Sequence, residues 1–203
     1  MALIKKTIIY MRKPLNTIAN IRAGYTFRGR VNEDPTGNIP VLQIKDLKDR
    51  VMLTGDQLPR INWPDTKRAA KEAATVQPGE ILLPARGEYY RASILLGDEP
   101  VIATSQLFVL RLTSKKITPE YLNWYLNQST AQHYFQTHRS GTSMPMLNKQ
   151  SLGALPVAIP PLSTQEKIVS VQRCWEQEQQ LTKQLLANRE QMLNGIFQQL
   201  LEQ

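Results

Sequence analysis

The most constraining feature of this sequence is a double proline followed by a long stretch that contains no further proline. Pro160-Pro161 prevents a helix from running through from upstream, because proline lacks the backbone N–H and its ring clashes with the preceding turn. Residues 164–203 contain one glycine and no proline. Ser163 and Glu166 have the spacing of a capping box, which predicts a helix start. We therefore predict one long C-terminal helix of about 60 Å.

A helix of this length exceeds what a body of the remaining size needs for its own core. The 203 residues suffice for one globular domain with an appendage, so we expect a domain at 1–162 and a separate helical segment at 163–203. The single cysteine, Cys174, excludes a disulfide framework within the chain and suits a reducing cytoplasm. The sequence has no run of about 18 apolar residues, so we predict no membrane span and no membrane partner.

The charge of the chain is strongly and unevenly basic. The formal net charge is +8. Residues 1–50 hold ten Lys and Arg against four Asp and Glu, and residues 101–150 hold five against one. Such an excess favours polyanionic partners, with nucleic acid first and an anionic membrane surface second. The alternative is a solvated basic face without a partner.

The body is predicted to be rich in β-strands. Residues 39–112 alternate short apolar runs with turn residues, which is typical of strands joined by tight turns. We expect strands at Ile39–Ile44, at 81–84 and at Ser93–Leu96. Two further strands, Val101–Ala103 and Gln106–Leu112, are expected to pair with each other. Residues 1–13 form another candidate strand.

The remaining periodicity in the body is helical. Thr118 followed by Pro119 predicts a helix start, because proline at the first helical position loses no hydrogen bond. Ser129 and Gln132 have the spacing of a second capping box, which predicts a helix from residue 130 to His138. Short helices are also expected over Leu15–Ile21 and Thr66–Ala74. The predicted fold class is α+β, a β-rich domain with short helices followed by one long coiled-coil-like helix.

Three loops of the body combine glycine with arginine, at residues 24–30, 86–91 and 139–143. Glycine lets a backbone approach a ligand closely, aromatic rings stack on bases, and arginine pairs with phosphate or guanine. Loops on a rigid scaffold are where recognition usually resides. Of the two adjacent tyrosines, one is expected to pack in the core, because alternation points them to opposite faces. The candidate DNA-contacting residues are Arg28, Arg30, Lys45, Arg86, Tyr89, Tyr90, Arg91, Arg139, Ser140 and Thr142.

Signatures of catalysis are missing from the sequence. It contains no phosphate-binding loop, no dinucleotide-binding fingerprint and no nucleophile elbow. His133 and His138 are five residues apart and have no carboxylate nearby to complete a ligand set, so we interpret both as surface residues and predict no metal site. The carboxylates are scattered along the chain. The sequence therefore indicates a binding protein rather than an enzyme.

The long helix carries an imperfect heptad pattern. Apolar residues at a and d positions would form a partner-facing seam, which Thr182, Arg189, Glu178 and Gln199 interrupt. The alternative is a helix that folds back wholly on the body. The predicted interface residues are Ile168, Val171, Trp175, Leu185, Met192 and Ile196.

Several segments stand in a characteristic order along the chain. They are Leu15–Arg30, the strand Ile39–Leu47, the strand-loop Gly79–Gly87, Phe108–Arg111, Tyr121–Leu126, Ser140–Thr142 and Leu155–Val169. In order and spacing they resemble the DNA-specificity (S) subunit of type I restriction-modification systems. The last segment is the most specific, and the resemblance covers nearly the whole chain.

The resemblance implies a division of labour. The body would be a target-recognition domain that reads one half of a split DNA site in the major groove. The long helix would be the spacer that sets the distance between half-sites and holds methyltransferase subunits, with a restriction subunit as a further candidate partner. The S-adenosylmethionine and the chemistry would belong to the methyltransferase, and this chain would bind no cofactor.

The sequence departs from the family in having one recognition domain and one spacer, where a full S subunit usually has two of each. We therefore expect a homodimer through residues 163–203 and a palindromic split target. Pairing with a different half-subunit is the alternative to a homodimer. Rival functions are a non-specific DNA- or RNA-binding module, and a degenerate enzyme fragment or interaction protein that binds no duplex.

Overall fold

The computed structural model describes residues 10–48, 50–64, 74–141 and 145–202. It divides into two compact units, Met1–Leu162, here called the body, and Ser163–Gln203. The predicted α+β class is confirmed, since the body is rich in sheet with short helices and a long helix follows it. The helix predicted over Thr66–Ala74 lies almost wholly outside the described residues, as does most of the strand predicted over 1–13.

The described part of the body contains short strands and short helices. The strands are β1 Arg12–Pro14, β2 Ala19–Ala23, β3 Ile39–Leu42, β4 Met52–Thr54, β5 Arg60–Ile61, β6 Thr75–Val76, β7 Ile81–Pro84, β8 Ser93–Leu96, β9 Val101–Ala103, β10 Leu107–Leu112 and β11 Pro156–Ala158. The α-helices are α1 Pro119–Leu126, α2 Ser129–His138 and α3 Lys149–Gly153, and the long helix is α4 Leu162–Leu201. Turns of 3-10 helix occur at Leu15–Thr17, Ile44–Leu47 and Gly55–Gln57.

The strands form two mixed sheets and a small ribbon. One sheet has the order β2-β10-β7-β8-β4 and the other β5-β3-β9-β6, while β1 pairs with β11. In the first sheet β10 runs antiparallel to both neighbours, and β4 runs parallel to β8. In the second sheet β3 runs parallel to β9. Most paired strands are therefore far apart in the sequence, and a local pattern does not specify which strands pair.

One hydrophobic core joins the two sheets. Leu82 of β7 and Val109 of β10, from the first sheet, belong to the same buried cluster as Leu42 of β3 and Val101 of β9, from the second. All four are 0% exposed. Fully burying a side chain of this kind contributes about 1.5–3 kcal/mol, so this shared core fixes the scaffold from which the loops emerge.

Two predictions of local structure in the strand-rich region are wrong, and for the same reason. The helix predicted over Leu15–Ile21 is limited to one 3-10 turn, because Ala19–Ala23 instead pairs with β10. The expected pairing of Val101–Ala103 with Gln106–Leu112 does not occur, since β9 lies in the second sheet and β10 in the first. In both cases pairing with a distant strand overrides the local pattern.

The helix starts were predicted with mixed success. Thr118 caps α1 as predicted, since its Oγ1 accepts a hydrogen bond from the backbone N–H of Tyr121 at 3.3 Å. The box at Ser129 is wrong, because Gln128 occupies the cap position and the Gln132 side chain donates to the carbonyls of Tyr90 and Leu126. The long helix begins at Leu162, so Ser163 lies inside the helix rather than at its cap.

A buried carboxylate supports the first sheet. Glu80 is 4% exposed, accepts a hydrogen bond from the backbone N–H of Gln77 at 2.9 Å and forms an ion pair with Arg111. A guanidinium nitrogen of Arg22 lies 3.6 Å from its other oxygen. Burial lowers the pKa of Arg22, and Glu80 opposes that effect. Glu80 therefore interacts with two guanidinium groups, one on β2 and one on β10, and balances one of their two positive charges.

Replacing Glu80 by alanine is expected to destabilise the body by about 3 kcal/mol, because a partly buried guanidinium and a backbone N–H lose their acceptor. The matched control is Glu99→Ala, which removes the partner of Arg60 from a pair that is 31% and 40% exposed. An exposed pair of this kind contributes about 1 kcal/mol or less. Urea denaturation of the two variants measures the difference, and equal losses would contradict this role of Glu80.

Candidate nucleic-acid interface

Two of the three arginine-bearing loops are joined by backbone hydrogen bonds. The segment 145–147 lies between them. The N–H of Gly87 donates to the carbonyl of Pro145 at 2.9 Å, and the N–H of Leu147 donates to the carbonyl of Ala85 at 2.8 Å. On the other side, Ser140 and Met146 exchange a pair of hydrogen bonds at 2.9 and 2.8 Å. The loop at 86–91 is therefore held beside Arg139-Ser140.

The first loop, residues 24–30, is anchored by a close approach of backbones. The N–H of Tyr25 donates to the carbonyl of Ala103 at 2.7 Å. A Cβ at Gly24 would lie 2.3 Å from the carbonyl oxygen of Thr104, so glycine is required at this point. Beyond the anchor, the rings of Tyr25 and Phe27 pack edge to face against Trp63. The loop thus begins from a fixed aromatic base and leaves Arg28 and Arg30 exposed.

A cavity of about 660 Å³ brings together several of the predicted DNA contacts. Its wall is formed by the 3-10 turn after β3, the loop after β7 and the start of α2. Lys45, Arg86, Tyr89 and Arg91 line it, as does Lys48. Its remaining lining residues are Ile44, Leu47, Pro84, Gly87, Glu88, Asn127 and Gln132. Four cationic side chains and one exposed ring therefore share one concave surface, which we call the basic cavity.

The two adjacent tyrosines have opposite environments, as alternation predicted. Tyr89 is 81% exposed on the wall of the basic cavity. Tyr90 is 0% exposed, packs against Phe135 with ring centroids 5.8 Å apart, and donates from its hydroxyl to the carbonyl of Pro145 at 3.4 Å. Burial raises the pKa of Tyr90. The prediction that Tyr90 contacts DNA is therefore wrong, since Tyr90 is a core residue.

Lys45 is held by a carboxylate at the edge of the basic cavity. Its Nζ donates to Oε1 of Glu33 at 2.6 Å. That hydrogen bond is the main cause of a raised pKa of Lys45 and of a lowered pKa of Glu33. Arg30 acts electrostatically on both groups. Arg30 of the first loop therefore lies near this pair, although it does not line the basic cavity.

The other candidate DNA contacts that the structure describes do not line the basic cavity. Arg139 is half-buried and lies near enough to Tyr90 to act on its ionisation, and Ser140 is exposed. Arg28 is exposed but does not line the basic cavity. Thr142 lies outside the described residues. The structure therefore brings Lys45, Arg86, Tyr89 and Arg91 together on the wall of the basic cavity, while Arg28, Arg30 and Arg139 do not line it.

The long helix presents the predicted seam to solvent. Val171 is 71% exposed, Trp175 52%, Leu185 50%, Met192 59% and Ile196 42%, and Ile168 is half-buried. A second set of exposed apolar side chains widens the stripe toward the C-terminus: Leu181, Leu186, Leu193, Phe197, Leu200 and Leu201. Large apolar side chains exposed in a contiguous stripe mark an interaction surface.

The described residues hold no group of His, Cys, Asp and Glu that could bind a metal ion. His133 and His138 are exposed on α2, and His138 stacks on Tyr134 with ring centroids 3.8 Å apart. Among the described helices, none combines the length and hydropathy needed to cross a membrane.

Comparison with known proteins identifies the family to which the chain belongs. The sequence profile of the type I restriction modification DNA specificity domain matches residues 10–190. The chain belongs to this family. The resemblance noted from the sequence is thereby confirmed. No curated protein matches this specificity-domain chain significantly.

Solved structures agree on the fold of the specificity-domain chain. A chain from a study of complex assembly and conformational transition in the type I R-M system matches with a TM-score of 0.68 and 19% identity, over 97% of this chain and 45% of that one. The HsdS subunit from Thermoanaerobacter tengcongensis matches with a TM-score of 0.59 and 18% identity, over 88% and 39%. The S subunit from M. genitalium gives 0.57 and 13%, over 87% and 41%. The chain thus spans less than half the length of these structures.

The structure also assigns polar residues to this surface that sequence reasoning missed. Lys48 and Gln132 line the basic cavity, and Gln43 lies at its edge with Nε2 2.9 Å from Oε1 of Glu33. The alternation of Gln43 with Lys45 directly after a buried strand was the available signal. Nothing in the sequence indicated the role of Glu33, because Glu33 lies ten residues before Gln43 and only the fold brings the two together.

Proposed function

We propose that this chain is a DNA-reading specificity subunit of a type I restriction-modification system and that it recognises one half of a split target through the basic cavity. Membership of the DNA specificity family supports the general role. The observation that carries the finer proposal is the convergence of Lys45, Arg86, Tyr89 and Arg91 on one concave surface. Cationic side chains would contact phosphates and fix the register, and amide or guanidinium groups would read base edges.

The chemistry of the complex would belong to a partner. In this proposal a methyltransferase subunit holds the S-adenosylmethionine and transfers the methyl group, and this chain selects the sequence. A restriction subunit would join the same complex in a system that cleaves. The role of this chain is then non-catalytic, which agrees with a surface whose described groups are suited to binding phosphates and bases.

The long helix would supply the assembly surface. Its exposed stripe, which includes Val171, Trp175 and Leu185, would be covered by the same stripe of a second copy. A dimer of this kind is two-fold symmetric, so its two reading surfaces would recognise two inverted half-sites at a fixed separation. Pairing with a different half-subunit would instead give a target with unlike halves.

Selection from a random-sequence duplex library tests the recognition proposal. The purified chain is expected to enrich duplexes that share one short motif, and a duplex with that motif should bind at least about 100-fold more tightly than a scrambled one. Absence of any enriched motif, together with affinity that depends only on salt, would show a non-specific binder instead.

A further inference from the structure

Glu33 occupies an unusual position for a carboxylate, because it lies among the groups proposed to contact DNA. Its Oε1 accepts hydrogen bonds from Lys45 Nζ at 2.6 Å and from Gln43 Nε2 at 2.9 Å. Gln43 and Lys45 flank the first residue of the 3-10 turn that follows β3. One oxygen atom therefore holds two polar side chains that leave the scaffold at neighbouring points.

We propose that Glu33 is a positioning residue that sets the sequence selectivity of the basic cavity, by holding Gln43 and Lys45 in one arrangement and opposing contacts with phosphate alone. This inference rests on the proposed function, and it concerns how the same surface discriminates among sequences. Glu33 itself need not touch DNA in this account.

Glu33 restricts which way the side-chain amide of Gln43 faces. A glutamine amide reads a base edge through one donor and one acceptor, and turning the amide over exchanges them. Because a carboxylate accepts hydrogen bonds and never donates, Glu33 fixes Nε2 of Gln43 as the group that faces it. The same oxygen restrains Lys45, whose flexible four-carbon stem would otherwise sample many positions. With Gln43 and Lys45 restrained in one arrangement, their donors and acceptors fit the base edges of some sequences and not of others.

The charge of Glu33 also opposes binding through phosphate contacts alone. Phosphates occur at every sequence, so each freely available cation strengthens binding to all duplexes alike. Glu33 already pairs with Lys45, so a phosphate must compete with it for that cation. Non-specific DNA offers phosphate contacts alone and loses most from this competition. A matching sequence also gains base contacts, which offset the loss.

The test is the Glu33→Gln variant of the full chain, measured on the duplex enriched by the wild type and on a scrambled duplex of equal composition. Glutamine at position 33 keeps an acceptor oxygen but carries no charge, so its bond to Lys45 weakens and Lys45 is expected to bind phosphate at any sequence. Affinity for the scrambled duplex should rise about tenfold, and the slope of log K against log salt should steepen by about 1. Affinity for the enriched duplex should rise by only about twofold, so the ratio of the two affinities falls about fivefold.

Glu88→Gln is the matched control. Glu88 also lines the basic cavity and is exposed, and its hydrogen bond with Gln136 is made by its backbone carbonyl. This variant removes the same charge from the same surface without releasing Gln43 or Lys45. Its specificity ratio should stay within about twofold of the wild type if position matters beyond charge.

A second background separates positioning from a general loss of structure. In a Lys45→Met chain, adding Glu33→Gln should leave the salt slope on the scrambled duplex unchanged, because the released cation is no longer there. Glu33 and Lys45 are 42% and 59% exposed, so neither change should lower the thermal midpoint appreciably.

The measurements distinguish a failure of the role of Glu33 from a failure of the proposed DNA recognition. Equal falls in the ratio for Glu33→Gln and Glu88→Gln, in a chain whose wild type is selective, would overturn the role of Glu33 alone. An unchanged ratio in Glu33→Gln would overturn it as well. A wild type without any preferred sequence would overturn the proposed function together with this inference.

Discussion

Replacing both Lys45 and Arg91 by alanine is expected to weaken binding of the preferred duplex by about 100-fold. Both side chains line the basic cavity, on the 3-10 turn after β3 and on the loop after β7. A hydrogen bond from a charged donor to a phosphate contributes about 1.5 kcal/mol or more, and two such bonds correspond to about two powers of ten. The salt slope should fall by about 2, since two fewer counterions are released.

The control for this change removes equal charge elsewhere. Arg12 of β1 and Lys115 of the turn after β10 are exposed and do not line the basic cavity. Alanine at both positions is expected to weaken binding by less than about fivefold, through long-range electrostatics alone. Titration of a labelled duplex at several salt concentrations gives both quantities. Equal losses in the two double variants would mean that net charge, and not the basic cavity, determines binding.

Lysine at both Leu185 and Ile196 is expected to weaken self-association of the chain by about 100-fold or more. Leu185 occupies a d position and Ile196 an a position of the heptad pattern, and both are exposed in the single chain. Burying an aliphatic side chain of this size contributes about 1.5–3 kcal/mol, so losing two exceeds two powers of ten in the dissociation constant. Sedimentation over a range of concentrations measures it.

Gln180→Lys together with Gln198→Lys is the matched control, because it adds the same charge to exposed positions outside both apolar rows of α4. Helix content should be the same in both double variants, as measured by circular dichroism. A dimer that dissociates equally in the two would place the interface elsewhere on the chain. A wild type that remains monomeric at high concentration would exclude the homodimer.

The parts of the fold that were predictable from the sequence are those with local causes. Thr118 and Pro119 predict the start of α1, because a capping residue and a first-turn proline act within one helical turn. The pairing of β9 and β10 was mispredicted because Thr104–Gln106 carries the chain from one sheet to the other, and that choice depends on strands far away in sequence. Ser163 was misplaced for a smaller reason, since the helix begins one residue earlier, at Leu162.

The candidate site also has features that were predictable from the sequence and features that were not. The chemistry of the loops was predictable, because glycine and arginine suit phosphate and base contacts wherever they occur. Their convergence was not predictable, since it depends on backbone hydrogen bonds such as that from Gly87 to Pro145 and on the position of Lys45 in the 3-10 turn after β3. Alternation indicated that one tyrosine would be buried, but only the packing against Phe135 identifies Tyr90 as that residue.

The most direct test of the whole account is the spacing of motifs in duplexes selected from a random library. The wild-type chain should enrich two inverted copies of one short motif at a constant separation, because the proposed dimer would join two reading surfaces through α4. The Leu185→Lys, Ile196→Lys chain should enrich the same motif as a single copy. Single copies at random positions from the wild type would contradict the dimeric arrangement, and the absence of a motif would contradict sequence-specific reading altogether.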